Sequence, residues 1–161
     1  MPRKLAPALT LSMTLSLALL TPALPATAGG EDHHSPFEGM PLLTLMHNLQ
    51  YYGHKLGLAI DAGNVKLQGF YVHEVEEVIE ALGDIKDYDG IPIGQNLADT
   101  LKPAFEHLEG AIELGEPKAI DTAYDGLIQG CNACHQASGR GYLVIKRNPD
   151  NPYPQDFSAA N

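Results

Sequence analysis

The most informative residues of this chain are its two cysteines and the histidine that follows them, in the run Cys131-Asn132-Ala133-Cys134-His135. Cys-x-x-Cys-His is the attachment signature of c-type haem. Two side chains three positions apart on a helix point the same way, so each sulfur can add to one of the two vinyl groups on an edge of the porphyrin. His135 follows directly and can place an imidazole nitrogen on the iron as its axial ligand. The pattern therefore predicts one covalently bound haem c, held through two thioethers from Cys131 and Cys134.

Three other kinds of site use a cysteine pair of this spacing, and each fits the chain less well. A structural disulfide would close a very small loop and stabilise little. A thioredoxin-like redox pair expects a β-strand that leads into the helix, and no strand pattern of useful length is visible. A zinc site needs one or two further ligands at metal-binding spacing, and the chain has no second cysteine pair. We therefore favour haem.

The motif lies in the last of four segments that have helical periodicity. Apolar residues recur at spacings of three and four in each segment, as expected for amphipathic helices. The segments begin at residue 40 or 41 and end near 62, then run over about 65–82, 95–114 and 117–137. Pro103 should kink the third helix or split it into two shorter pieces. Four amphipathic helices with short connections predict an all-α fold, an antiparallel four-helix bundle.

The two ends of the chain differ in character from this helical part. The first 28 residues resemble a secretory signal peptide, with Arg3 and Lys4 at a positive start, an apolar stretch to Leu20 and small residues up to Ala28. An uncleaved membrane anchor is the alternative, but the prolines and the short apolar run disfavour it. The predicted parts are a signal peptide (1–28), a flexible leader (29–39), the haem-binding bundle (40–147) and an irregular Pro/Asn-rich tail (148–161). We expect an exported product with no membrane segment after cleavage.

The charge of the chain excludes one class of partner and favours another. It has 10 Lys and Arg against 20 Asp and Glu, a formal net charge of −10 at pH 7. Because a phosphate backbone needs a basic face, nucleic acid is an unsuitable partner. Removal of the signal peptide takes away two positive and no negative side chains, so the mature chain carries −12. Such a surface should steer the protein towards basic partners, although simple solubility explains the same charge.

A haem-attachment motif on the last helix of a predicted four-helix bundle, behind a signal peptide, resembles the class II c-type cytochromes, the cytochrome c′ group. The resemblance covers about residues 40–137, is most specific over residues 123–135 and has a weaker echo in residues 43–46. It implies a haem protein of the bacterial periplasm, often a homodimer, in which the two cysteines attach the haem and His135 is the axial ligand. The chain departs from the family after His135, where the usual basic helical ending is missing, and in its Pro-rich tail.

The resemblance also implies that the first helix crosses the face of the haem opposite His135, so a residue of that helix decides the sixth coordination position of the iron. The weaker similarity over residues 43–46 would place Leu43 over the iron. An aliphatic side chain there leaves the sixth coordination position open to a small gas. An insertion of one helical turn would place His47 there instead. At about 100° per residue, Met46 lies at the margin of the apolar stripe, whereas His47 and His54 share a second face with Leu43. This face is either packed against a cofactor or a solvated flank on which both histidines are partly exposed. We expect a six-coordinate iron, with His47 as the leading ligand candidate and Met46 behind it.

These observations predict a periplasmic electron carrier whose haem iron cycles between the ferric and ferrous states. Its partners would be redox proteins with a basic docking surface. The alternative is a five-coordinate haem protein that binds nitric oxide or carbon monoxide, as a gas sensor or scavenger. An enzyme is not expected, because no acid–base pair or nucleophile triad stands out in the sequence.

Overall fold

A computed structural model describes residues 35–158 of the chain. Within that range it has four helices and, apart from an isolated bridge between Tyr88 and Ile91, no β-structure. The helices are α1 (Leu42–Asp61), α2 (Val65–Gly83), α3 (Ile93–Leu114) and α4 (Pro117–Ala137). The predicted all-α fold with four helices is therefore confirmed. The predicted signal peptide, residues 1–28, lies outside the described residues. None of the described helices is long and apolar enough to cross a membrane.

The ends of the helices follow from residues that start or stop them. Gly63 and Gly115 take the left-handed conformation, with φ of +64° and +73°, just after α1 and α3. The side chain of Asn64 accepts a hydrogen bond from the amide of Leu67 and so caps α2. Pro117 occupies the first turn of α4, where its missing N–H costs nothing. The observed helix ends lie within two residues of those predicted from the sequence.

α3 passes through Pro103 as one helix, so of the two outcomes predicted for this proline, a kink or a split into two shorter pieces, the split is wrong. Proline removes one backbone hydrogen bond from a helix interior and disturbs the preceding turn. Leu101 and Phe105, on either side of it, are only 2% and 3% exposed. Because both halves of the helix bury side chains in the same core, packing holds them in one element.

The four helices pack in chain order, and α4 returns to α1. Three residues join α1 to α2 and two join α3 to α4, so the helices within each of these packed pairs run antiparallel. The arrangement is compatible with an antiparallel four-helix bundle. Of the four neighbouring pairs, α1 and α4 are in the least contact. A cavity lies between these two helices.

All four helices supply side chains to one apolar core. Phe37, which falls in the predicted leader, is buried at the edge of this core with its ring edge-on to Tyr52. The most deeply buried large side chains are Leu45, Leu56, Val75, Val78, Leu82, Leu97, Leu101, Leu108 and Tyr124. Within the described part of the chain, every buried side-chain nitrogen or oxygen has a hydrogen-bond partner. The core therefore holds α1 and α4 in place on both sides of the cavity.

α1 and α4 touch where Gly57 faces Tyr124. A Cβ atom at position 57 would lie 2.6 Å from Cζ of Tyr124, so the backbone of α1 can approach this ring only at a glycine. The Tyr124 hydroxyl donates a hydrogen bond to the carbonyl oxygen of Gly53 at 3.0 Å. Burial raises the pKa of Tyr124, so the hydroxyl stays a donor at any ordinary pH. This contact fixes the distance between the two helices next to the cavity.

Replacing Gly57 by alanine should lower the free energy of unfolding by ~1–3 kcal/mol, because the added methyl group overlaps a buried ring. Urea unfolding followed by circular dichroism measures the change. Gly69 in α2 is the matched control, since nothing lies within 4 Å of a Cβ atom placed there. Gly69→Ala should stabilise the protein by ~0.5–1 kcal/mol through helix propensity. Equal effects of the two substitutions would contradict this account of the contact.

Candidate functional site

A cavity of about 630 Å³ lies between residues 43–54 of α1 and residues 124–135 of α4. α3 contributes part of its wall, and the segment that follows α4 contributes the rest. Most of the lining is apolar, formed by Leu43, Met46, Leu49, Leu97, Leu101, Leu127, Ile128, Leu143 and Ile145. Cofactor and ligand sites commonly have volumes of roughly 300–1,000 Å³ and largely apolar walls. In size and character, the cavity is therefore suited to a cofactor.

Both cysteines line this cavity, three positions apart on α4. Neither is in a disulfide; Cys134 is buried and Cys131 is partly exposed. Burial raises the pKa of the Cys131 thiol to about 12, and the neighbouring Cys134 adds to the effect. Thiol–disulfide catalysts show the opposite change, a lowered thiol pKa. In addition, α4 follows a turn from another helix rather than a strand. Both observations disfavour a redox-active cysteine pair.

His135 lies beside the cysteines and lines the same cavity. Its Nδ1 atom is 2.7 Å from the carbonyl oxygen of Leu143. Because a carbonyl oxygen can only accept, Nδ1 carries a proton, and in the neutral imidazole Nε2 therefore keeps its lone pair. Metal-ligating histidines commonly donate their other N–H in this way, which fixes the tautomer and the orientation of the ring. The imidazole is thus arranged to bind a metal through Nε2.

The segment after α4, residues 139–158, has neither helix nor strand, and we call it the strap. Side chains of the helices supply the hydrogen bonds that its backbone lacks. Asn132 donates from Nδ2 to the carbonyl oxygen of Ile145 at 2.9 Å, and its Oδ1 accepts from the Ile145 amide at 2.8 Å. At the other end, Asn64 donates to the carbonyl oxygen of Phe157, whose ring is buried. The strap is therefore attached along its length to the helices that form the cavity.

Arg147 is the ionic anchor of the strap. Its guanidinium contacts Asp61 at the end of α1, as well as Asp121 at 2.7 Å and Asp125 at 3.1 Å in α4. It also lies over the ring of Tyr124, with 5.1 Å between Cζ and the ring centroid. Burial alone would lower the pKa of Arg147, but hydrogen bonds to the three carboxylates raise it overall. One side chain thus connects the strap, α1 and α4.

Lys55 is a second anchor, nearer the end of the strap. It is buried, and its Nζ atom donates to Oε1 of Gln155 at 2.9 Å. The ammonium group lies 4.4 Å from the ring centroid of Tyr51 and 4.9 Å from that of Tyr153. Tyr71 donates to the same Gln155 oxygen at 2.8 Å. Aromatic faces and an amide oxygen therefore compensate the buried charge.

His54 contributes to the cavity wall with both of its ring nitrogens engaged. Its Nε2 atom is 3.0 Å from the carbonyl oxygen of Asn148, so Nε2 must be the donor. Its Nδ1 atom then accepts from the hydroxyl of Tyr153 at 3.0 Å. His54 therefore acts as a further attachment point of the strap.

His47, Met46 and Leu43, the residues considered for the far side of the iron, all line the cavity that also contains the cysteines and His135. Leu43 is 74% exposed, and Met46 is half-buried. His47 is exposed and stacks against Tyr51, with ring centroids 6.5 Å apart. Leu49, which the sequence places on the apolar stripe of the first helix but not at the site, lines the cavity as a buried side chain. The choice of His47 as a ligand stays a prediction.

Sequence analysis missed the residues that support His135 and close the cavity. Asn132 appears there only as a spacer between the cysteines, and the strap is divided between the end of the predicted bundle (40–147) and the irregular tail (148–161). The short apolar run at residues 142–145 is the one signal that could have found this wall, because an entirely solvated tail has no need of it.

Among residues 35–158, no group of three or more His, Cys, Asp or Glu side chains is placed to hold a metal ion.

Comparisons with protein-family models, with curated protein sequences and with solved structures find no match to this chain. The interpretation of the site thus rests on its own residues.

Replacing Arg147 by alanine should lower the free energy of unfolding by ~1–2 kcal/mol, because three carboxylates lose a partly buried partner and each such pair contributes up to about 1 kcal/mol. Urea unfolding measures the loss, and limited proteolysis should show faster cleavage within the strap. Arg140→Ala is the matched control, since Arg140 is exposed and forms no ion pair within the described part of the chain. Indistinguishable results for the two variants would mean that this cluster does not hold the strap.

Proposed function

We propose that this chain is an exported c-type cytochrome that carries electrons with one covalently attached haem. The observation that carries the proposal is the convergence of Cys131, Cys134 and His135 on one apolar cavity of about 630 Å³. The hydrogen bond from His135 to Leu143 supports it, because it leaves the imidazole in the tautomer that a metal requires.

The residues around the cavity fit a haem c. Cys131 and Cys134 would hold it through thioethers, and His135 would bind the iron through Nε2. The leucine and isoleucine side chains of α3 and α4 would pack on the ring. Lys146 also lines the cavity and offers a positive charge for the carboxylates that a haem carries. The donor set and the wall thus match the chemical character of the group.

A haem bound there supplies one-electron chemistry between the ferric and ferrous states. The protein would contribute position and environment. Leu97, Leu101 and Leu127 are 2%, 2% and 3% exposed, so their side chains exclude water from the inner wall of the cavity. Leu143 and the strap hold the imidazole in one orientation through its Nδ1–H group. A fixed ligand in an apolar site needs little rearrangement when the charge of the iron changes.

The acidic surface supports a role in transfer to a partner protein. With twice as many Asp and Glu as Lys and Arg, the chain should be attracted to redox proteins that present a basic docking surface. Export to the periplasm belongs to the same proposal and rests on the signal-like residues 1–28.

A second candidate function is reversible binding of nitric oxide or carbon monoxide. Leu43 and the buried Leu49 line the cavity on the α1 side, and an aliphatic residue opposite His135 would leave the sixth position of the iron free. In that case the protein would be a gas sensor or scavenger, and His47 would stay at the surface.

Replacing both Cys131 and Cys134 by serine should abolish covalent haem attachment, because no sulfur remains to form a thioether. The chain is produced with the c-type haem maturation machinery, and haem is detected on the denatured polypeptide after electrophoresis. Ala133→Ser, at the exposed position between the cysteines, is the control and should retain the haem. A wild-type chain that acquires no covalent haem under these conditions would contradict the proposed function.

Replacing His47 by alanine should convert a six-coordinate iron into one that binds carbon monoxide at once. Optical spectra of the reduced protein before and after carbon monoxide report whether the sixth position is free. His73→Ala is the control, because His73 is exposed on α2 beside Glu76 and Glu77. Immediate binding by the wild-type protein, with a high-spin spectrum, would favour the gas-binding function and exclude His47 as the ligand.

A further inference from the structure

We infer that Asn132, the first residue between the two cysteines, is a positioning residue that sets the electronic character of the iron ligand His135. The inference rests on the proposed function, because it identifies a residue that would tune the iron ligand of that same site. Attachment chemistry requires only the two cysteines and the histidine, so it leaves position 132 free for another task. In this chain a partly buried asparagine occupies the position and bonds to the strap.

The contacts of Asn132 form a two-way clamp on one residue of the strap. Its amide group donates to the carbonyl oxygen of Ile145 at 2.9 Å and accepts from the Ile145 amide at 2.8 Å. Both hydrogen-bonding groups of the Ile145 backbone are thereby fixed, as they would be by a neighbouring strand. A side chain that donates and accepts at once sets both the distance and the rotation of the strap at this point.

The clamp lies next to the hydrogen bond of His135. Asn132 and His135 are three positions apart on α4, so they share one face of the helix. Their partners, Ile145 and Leu143, are two positions apart on the strap. Because the backbone between these partners is short, fixing Ile145 restricts where the Leu143 carbonyl oxygen can lie. We attribute the 2.7 Å contact between that oxygen and His135 Nδ1 to this restriction.

The consequence for the iron follows from ligand chemistry. A strong hydrogen bond from Nδ1–H to a carbonyl makes the imidazole a better electron donor at Nε2. A better donor stabilises the ferric state relative to the ferrous state and lowers the reduction potential. His135 is partly exposed, so without the clamp its Nδ1–H group would share its hydrogen bonding with water.

The clamp can be removed without detaching the strap. Arg147 with its three aspartates and Lys55 with Gln155 hold the strap independently of position 132. Asn132→Ala should therefore give a folded protein that still attaches haem and in which the strap holds Leu143 only through the turn that the Leu143 amide forms with the carbonyl oxygen of Arg140.

The test compares the haem-bearing, exported forms of Asn132→Ala and Asn151→Ala. Asn151 is a matched control, because its side chain also donates to a carbonyl (Gln155, 2.8 Å) and accepts from an amide (Tyr153, 3.0 Å), but within the strap itself. Asn132→Ala should raise the midpoint potential of the haem. It should also accelerate hydrogen exchange at the Ile145 amide by on the order of tenfold, the factor that corresponds to about one lost hydrogen bond. Asn151→Ala should change neither quantity.

An unchanged or lower potential in Asn132→Ala would overturn the inference even if the variant is less stable, since a purely structural role predicts lost stability alone. Failure of the proposed function has a different signature, a wild-type chain without haem. In that event, nitrogen NMR of His135 in the haem-free full-length chain decides the matter. Loss of the Nδ1–H tautomer in Asn132→Ala would support the positioning role, and an unchanged tautomer would overturn it.

Discussion

The arrangement of the site depends on one constraint: α1 and α4 must be held together without closing the space between them. They touch at Gly57 and Tyr124, where the absence of a Cβ atom lets a buried ring lie against the backbone of α1. Arg147 adds a second tie at the same end, from Asp61 of α1 to Asp121 and Asp125 of α4. The cavity occupies the other end, along residues 43–54 and 124–135. The two helices are thus fixed at one end and separated by a cofactor-sized space at the other.

The strap completes this site because an irregular backbone near a core needs hydrogen-bond partners. The helices provide them through polar side chains, Asn132 and His135 from α4 and His54 from α1. Lys55 of α1 adds a bond to a strap side chain, that of Gln155. In return, the strap supplies part of the cavity wall and the carbonyl group that orients His135. The same hydrogen bonds that order the segment therefore also organise the candidate ligand, and stability and site geometry are coupled.

The four helices and the signature residues could be predicted from the sequence because they are encoded locally. Periodic leucines define a helix within its own segment, and Cys131 to His135 form one continuous run. The strap contacts could not be predicted, because Asn64 meets Phe157 and His54 meets Tyr153 across more than 90 positions. No periodicity links such pairs. The split predicted at Pro103 is wrong for a related reason, since local propensity yields to packing at Leu101 and Phe105.

For the proposed haem, the contacts of three α1 side chains bear on what would occupy the sixth position of the iron. His54 uses Nε2 and Nδ1 on Asn148 and Tyr153, so coordination would cost it two hydrogen bonds and detach part of the strap. His47 makes only a ring contact with Tyr51 within the described residues, so turning it towards an iron would cost little. Leu49, already buried on the inner wall, would resist displacement by a polar ring. The sixth position would therefore be either filled by His47, from the cavity surface, or covered by Leu49 and left without a protein ligand. Because rotating one exposed side chain costs less than unpacking a buried one, we expect His47 to bind the proposed iron by rotating over Leu49 rather than by displacing it.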